Sequence, residues 1–147
     1  MPWAPEESRP LLPVISSGKN NNLERKHAWT YSQSTGQISR NGTQVGVGYS
    51  GRGAGKNNHA MQNVRSIGPI PVGTYAIGAP FHHPHAGNYT MRLTPQVGTD
   101  TLGRTGMLIH GDSIQNPGQA SSGCIVQNQQ IRRRIWTSGD RTLQVIP

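Results

Sequence analysis

The chain of 147 residues has a single cysteine, Cys124. One cysteine excludes an intramolecular disulfide and a Cys-rich zinc site, so the thiol needs another reason to be present. Acidic residues are also scarce: six Asp and Glu stand against 14 Lys and Arg, a formal net charge of +8, so a large partner drawn in electrostatically should be anionic. Nucleic acid, acidic lipid and anionic wall polymer share that sign. Aromatics make up only 5% of residues, too few for a base-stacking surface. The basic residues are dispersed apart from Arg132-Arg133-Arg134, with no recognisable nucleic-acid module, so no nucleic-acid partner is expected. Nor does any apolar run approach the ~18 residues of a membrane span. The one early apolar run, Leu11 to Ile15, is broken by Pro13 and preceded by Glu6-Glu7, unlike a secretory signal. The expectation is synthesis in the cytoplasm without a signal peptide.

What is abundant is glycine and proline, 19 and 11 residues, a balance that favours turns over long helices. Apolar stretches recur between those turns, as in Met107-Leu108-Ile109, Cys124-Ile125-Val126 and Leu143 to Ile146. They predict buried strands in an all-β, β-dominated domain, a curved sandwich or barrel-like sheet with one or two short helices. Residues 1–26, rich in Pro, Ser, Asn and charge without a burying period, read as an extended tail, and 27–147 as the domain. Within it, Ala28 with Thr30 and Trp29 with Tyr31 alternate on two faces of a strand, Ser34-Thr35-Gly36 is a turn, and Gln37 to Arg40 returns. Thr43 to Tyr49 reads as one strand, with Val45, Val47 and Tyr49 on one face. Gly68-Pro69-Ile70-Pro71-Val72-Gly73 is a stiff bend feeding a strand through Thr74, Ala76 and Gly78. Asn88 to Leu93 and Thr142 to Ile146 are further strands, and Ile131 to Trp136 a short helix.

Two segments invite site readings that their details do not support. Ser50 to Asn58 is Gly-rich, but Gly55-Lys56 is followed by Asn57 where a P-loop needs Ser or Thr, so it reads as a flexible loop beside a site. His82, His83 and His85 lie within four positions between Phe81 and Gly87, yet Pro84 and the loop context favour a solvent-facing cluster over a metal site. Neither metal nor cofactor is expected.

The chemistry concentrates elsewhere. An apolar strand, Met107-Leu108-Ile109, ends in His110-Gly111-Asp112. Fourteen residues after that histidine, Ser121-Ser122-Gly123 turns into Cys124-Ile125-Val126. Cysteine nucleophiles need a thiolate, which a free thiol of pKa ~8.5 supplies poorly at neutral pH unless an imidazolium or oriented donors lower that value. His110 is the obvious partner. Gly123 would let the backbone approach a substrate, and the Gly123 and Cys124 amides would face an oxyanion. No histidine follows Cys124, which excludes the Cys-before-His order of papain-like peptidases.

His110-Gly111, a loop, and Ser121-Ser122-Gly123-Cys124 with Ile125 resemble the signature of the L,D-transpeptidase (YkuD-like) catalytic domain. With Trp29 and Tyr31, Tyr49-Ser50-Gly51, the Gly68 to Tyr75 segment and His110-Gly111-Asp112, the chain looks most like the branch exported as antibacterial effectors through the type VI secretion system. The resemblance implies Cys124 as acyl acceptor, His110 as base, Ser121 as a hydroxyl that shapes the site, and Gly123 as part of the oxyanion hole. Ser122, Arg104, Gly111, Asp112 and Tyr49 are expected to contact substrate. Many members carry Arg two residues after the cysteine; Val126 stands there, leaving Arg104 or Arg52 to take its part, against a plainer role as solvated basic surface. The implied substrate is the peptidoglycan tetrapeptide stem, cut at its L-to-D bond as a carboxypeptidase or exchanged as a transpeptidase. A secretion apparatus, an immunity protein and action in the periplasm of a target bacterium are implied with it. A non-catalytic basic wall-binding module is the alternative, and a nucleic-acid binder a weaker one.

Overall fold

A computed structural model describes residues 28–147. The expected tail, 1–26, and the first domain residue, His27, lie outside the described residues. Ten strands dominate what is described: β1 (Ala28–Ser32), β2 (Gln37–Arg40), β3 (Thr43–Val47), β4 (Tyr49–Ser50), β5 (Gly73–Ile77), β6 (Phe81–His83), β7 (Gly87–Pro95), β8 (Leu108–His110), β9 (Ile125–Val126) and β10 (Thr142–Ile146). The one α-helix among them is α1 (Gln129–Thr137), and two short 3-10 turns cover Gly53–Gly55 and His59–Met61.

The strands form one mixed sheet in the order β3-β2-β1-β10-β5-β7-β8-β9-β4, with β6 added against β7. Pairing is antiparallel except for β10 with β1 and β9 with β8. The order begins on β3 and ends on β4, which are separated in sequence by Gly48 alone, so the sheet curves until its two ends meet in one chain segment. No ladder joins those ends, and the sheet stays unclosed. Thr43 to Tyr49 is therefore two strands rather than the single one its alternation predicts: Val47 is 57% exposed while Tyr49 is buried. The break follows from crowding at Gly48. A Cβ there would sit 1.8 Å from the Val126 carbonyl oxygen, so only glycine lets the chain cross from one sheet end to the other.

Inside the curve lie Trp29, Tyr31, Ile38, Tyr75, Met91, Ile109, Ile125 and Leu143, all at most 1% exposed. Helix α1 starts at Asn128, whose side chain accepts from the Ile131 amide in the manner of an N-cap, and buries Ile131 and Ile135. It extends the predicted Ile131 to Trp136 by about a turn in total. Phe81 to Gly87, read from the sequence as a loop, is instead a hairpin: β6 pairs with β7 through Phe81 with Thr90 and His83 with Gly87. No group of three or more His, Cys, Asp or Glu side chains placed to hold a metal ion occurs among the described residues. His82 and His85 are exposed, and His83 Nδ1 accepts from the His85 and Ala86 amides.

Candidate active site

Strands β8 and β9 run parallel, with Ile109 beside Ile125 and His110 beside Val126. Both isoleucines are fully buried in the core. Side chains alternate along a strand, so His110 points away from the face on which Ile109 is buried. Cys124 precedes β9 by one residue and so lies alongside Leu108, one diagonal step from His110. His110 and Cys124 share no hydrogen bond, and His110 does not line the cleft beside the sulfur.

The His110 ring is oriented from its other nitrogen. Nδ1 lies 2.7 Å from the Gly111 carbonyl oxygen, which can only accept, so Nδ1 carries the hydrogen and the Nε2 lone pair is left as the basic position. Burial pushes the imidazole below its ordinary pKa; Arg132 and His83 push it the same way, against the Gly111 bond and Asp112. The half-buried Cys124 sulfur makes a long contact to the Gly106 carbonyl, 3.8 Å. Burial raises the thiol above its ordinary value, opposed by the Leu108 amide and the charge of Arg104. Both shifts act against the charged form of the group concerned. The charged forms expected of this pair, thiolate and imidazolium, are each opposed by burial.

The turn that presents Cys124 is built around Ser121. Its hydroxyl donates to the Cys124 carbonyl at 2.6 Å and accepts from the Gly51 and Gly123 amides at 2.8 and 3.1 Å. The Gly123 amide, expected to face an oxyanion, thus donates to Ser121 Oγ. Gly123 has φ 134°, and a Cβ on it would meet Arg104 Nη2 at 2.1 Å, so both conformation and space require glycine.

Arg104 is not solvated surface. It is 4% exposed, and its guanidinium donates to the carbonyls of Gln62 (2.7 Å), Pro69 (2.6 Å), Gly68 (2.9 Å) and Ser122 (3.2 Å). One side chain therefore ties the Gly68-Pro69 bend to the cysteine turn, and its burial lowers its own pKa. Arg132, which the sequence reading left in a basic run, is buried too; it donates to the Gln127, Asn88 and Tyr89 carbonyls. Its Nη2 would lie 2.7 Å from a Cβ at Gly111, which places a second cation against the histidine turn. Arg52 is exposed and outside the cleft beside the cysteine.

Tyr49 and Asp112 are brought together, but to hold a loop. Tyr49 Oη donates to Asp112 at 2.5 Å and accepts from the Ala120 amide at 2.9 Å, while Asp112 also accepts from the Ser113 and Gly118 amides. Lys56 lies over the Tyr49 ring, 4.3 Å from its centroid, and donates to the Gly118 carbonyl. Burial raises the Tyr49 hydroxyl to about 12, with Asp112 adding to the rise. At Asp112, burial acts upward but is outweighed by the Tyr49, Gly118 and Ser113 bonds and by Lys56, which hold the carboxyl below its ordinary value. Ser122 lines the cleft, whereas Gly111, Asp112 and Tyr49 do not.

That cleft, of about 300 Å³, runs from Cys124 and Gly123 between Gly103 to Met107 on one side and Arg65-Ser66 on the other. Arg65 escaped the sequence reading because nothing around it repeats or forms a motif. A strand-dominated domain with a half-buried cysteine at the base of a cation-lined cleft is the class that fold and site define. Residues 44–145 match the model of the Tlde1 domain, and the chain belongs to that family, whose members are type VI secretion effectors tied to peptidoglycan modification. No curated protein matches the chain.

Proposed function

We propose that the protein is a cysteine acyl-transfer enzyme that cuts the L-to-D bond before the terminal D-residue of a peptidoglycan tetrapeptide stem, with Cys124 as nucleophile and His110 as base. The observation that supports the reading is the parallel β8-β9 register, which brings the His110 and Cys124 segments onto neighbouring strands, with Cys124 lining a cleft. His110 and Cys124 share no hydrogen bond here, and catalytic bonds of this kind tighten when substrate binds.

His110 Nε2 takes the thiol proton as the sulfur adds to the carbonyl carbon. The oxyanion so formed faces the Cys124 amide, with Arg104 supplying positive charge nearby. Collapse breaks the C–N bond, and the leaving amine takes the proton back from His110. Water, deprotonated by the same nitrogen, then adds to the thioester and releases the shortened stem and the free thiol. An amine in place of water gives exchange of the terminal D-amino acid. Ser121 and Gly123 shape the turn, and Ser122 lines the substrate path. Delivery by the type VI apparatus into the periplasm of a target bacterium, with an immunity protein in the producer, completes the reading.

Mass analysis of purified muropeptides tests it. Incubation with the protein should remove the terminal D-alanine mass, or replace it when a D-amino acid is supplied. Cys124→Ala and His110→Ala should each lower the rate by at least about a hundredfold. Unchanged turnover by folded Cys124→Ala would refute the nucleophile, and wall binding without turnover by the native protein would favour a non-catalytic module.

A further inference from the structure

Two cations and, among the described residues, no carboxylate line the cleft beside Cys124. Their roles differ. Arg104 is buried and engaged by four carbonyls, so it contributes charge but presents little of its donor edge. Arg65 is exposed at the rim, and its hydrogen bond to the Gly103 carbonyl is 3.5 Å long, at the weak limit of such bonds. Most of its planar fork therefore remains available to a ligand.

The position of Arg65 is nevertheless well defined. Ser66, next in sequence, holds φ 65°, rare for a residue other than glycine, and the turn closes through the Ile67 and Gly68 amides donating to the Val64 carbonyl. Arg104 binds the carbonyls of Gln62, Gly68 and Pro69 on either side of that turn and, through Ser122, the cysteine turn opposite. A single buried guanidinium thus sets the spacing between the Arg65 loop and the sulfur.

We propose that Arg65 binds the free C-terminal carboxylate of the peptide, making the site one for the last residue of a stem rather than for a bond within a longer chain. The inference rests on the peptidase reading above. A guanidinium fork matches a carboxylate in bidentate geometry, whereas an amide offers it one neutral oxygen. The cleft of about 300 Å³ has the volume of about ten waters, room for one small terminal residue and the bond before it.

Steady-state cleavage of a synthetic tetrapeptide and of its C-terminal amide, by the native protein, Arg65→Ala, Arg65→Lys and Cys124→Ala, tests the proposal. The native protein should prefer the acid by at least about tenfold in kcat/KM, mostly through KM. Arg65→Ala should bring that ratio close to one, and Arg65→Lys should keep part of it. Equal cleavage of acid and amide by the native protein, or a ratio unchanged in Arg65→Ala, would overturn the carboxylate role while leaving the peptidase reading intact. Absence of Cys124-dependent cleavage of either peptide would instead overturn that reading and the role of Arg65 with it.

Discussion

Replacing Arg104 by Met should unlock the site mechanically as well as electrostatically. The substitution leaves the carbonyls of Gln62, Gly68, Pro69 and Ser122 without their charged donor, three of them bonded at 2.9 Å or less. Hydrogen bonds to charged groups contribute about 1.5–3 kcal/mol each, but bonds to one side chain are not additive, and removing a guanidinium also removes its desolvation cost. A net loss of about 3–5 kcal/mol is expected, a large share of the ~5–15 kcal/mol that holds a domain folded. With a urea dependence of about 1–3 kcal/mol per molar, the unfolding midpoint, followed through the buried Trp29, should fall by roughly 2 M. Arg104→Lys should fall by about half as much, because an ammonium keeps the charge without the fork. A midpoint lowered by less than about 0.5 M in Arg104→Met, at an unchanged urea slope, would refute the claim that this side chain fastens the two loops.

Alkylation of Cys124 by iodoacetamide should rise with pH to a midpoint above the ordinary ~8.5 of a thiol, while peptide turnover should already be present once pH exceeds the depressed His110 value, below ~6.5; rapid, pH-independent alkylation near pH 6 would show a preformed ion pair instead. Tyr49→Phe removes both bonds of the loop clamp and should cost about 1–2 kcal/mol, seen as faster amide exchange across residues 112–120. Because the Asp112 carboxyl is held below its unfolded value, its stabilisation of that loop is fully present above about pH 4 and lost as pH falls through the lowered folded value, so exchange there should quicken in acid. Gly48→Ala should destabilise by more than about 3 kcal/mol in urea unfolding, since its Cβ meets the Val126 carbonyl at 1.8 Å, whereas Gly42→Ala, with nothing within 4 Å and only its φ of 79° against it, should cost about 1 kcal/mol.

Alternation and turn residues made most strands legible in the chain, because period-two patterning and Gly or Pro breaks are local properties. β1, β2, β5, β7 and β10 fall where Ala28 to Tyr31, Gln37 to Arg40, Thr74, Met91 and Leu143 to Ile146 indicate. The failures share a cause. Gly48 looks like one more small residue in a strand until Val126 is packed against it, and Phe81 to His83 becomes a strand because Thr90 and Gly87 offer it an edge. In each case a packing or pairing partner decides, distant in sequence for Gly48 and across a hairpin for Phe81 to His83, and alternation along the segment itself does not reveal it.

What the sequence by itself determined is the inventory: one thiol, a histidine at the end of an apolar strand, a Ser-Ser-Gly turn before the cysteine, and an excess of positive charge. The tertiary structure decided which cations matter and how. Arg104, Arg132 and Arg65 are chemically identical in the chain, yet carbonyls from four separate positions engage the first, three engage the second, and the third is exposed at the cleft rim. Burial and main-chain acceptors come only from the folded surroundings of a side chain. For that reason the electrostatics of the site, including the burial that lowers the His110 pKa and raises that of Cys124, could not be read before the strands were assembled.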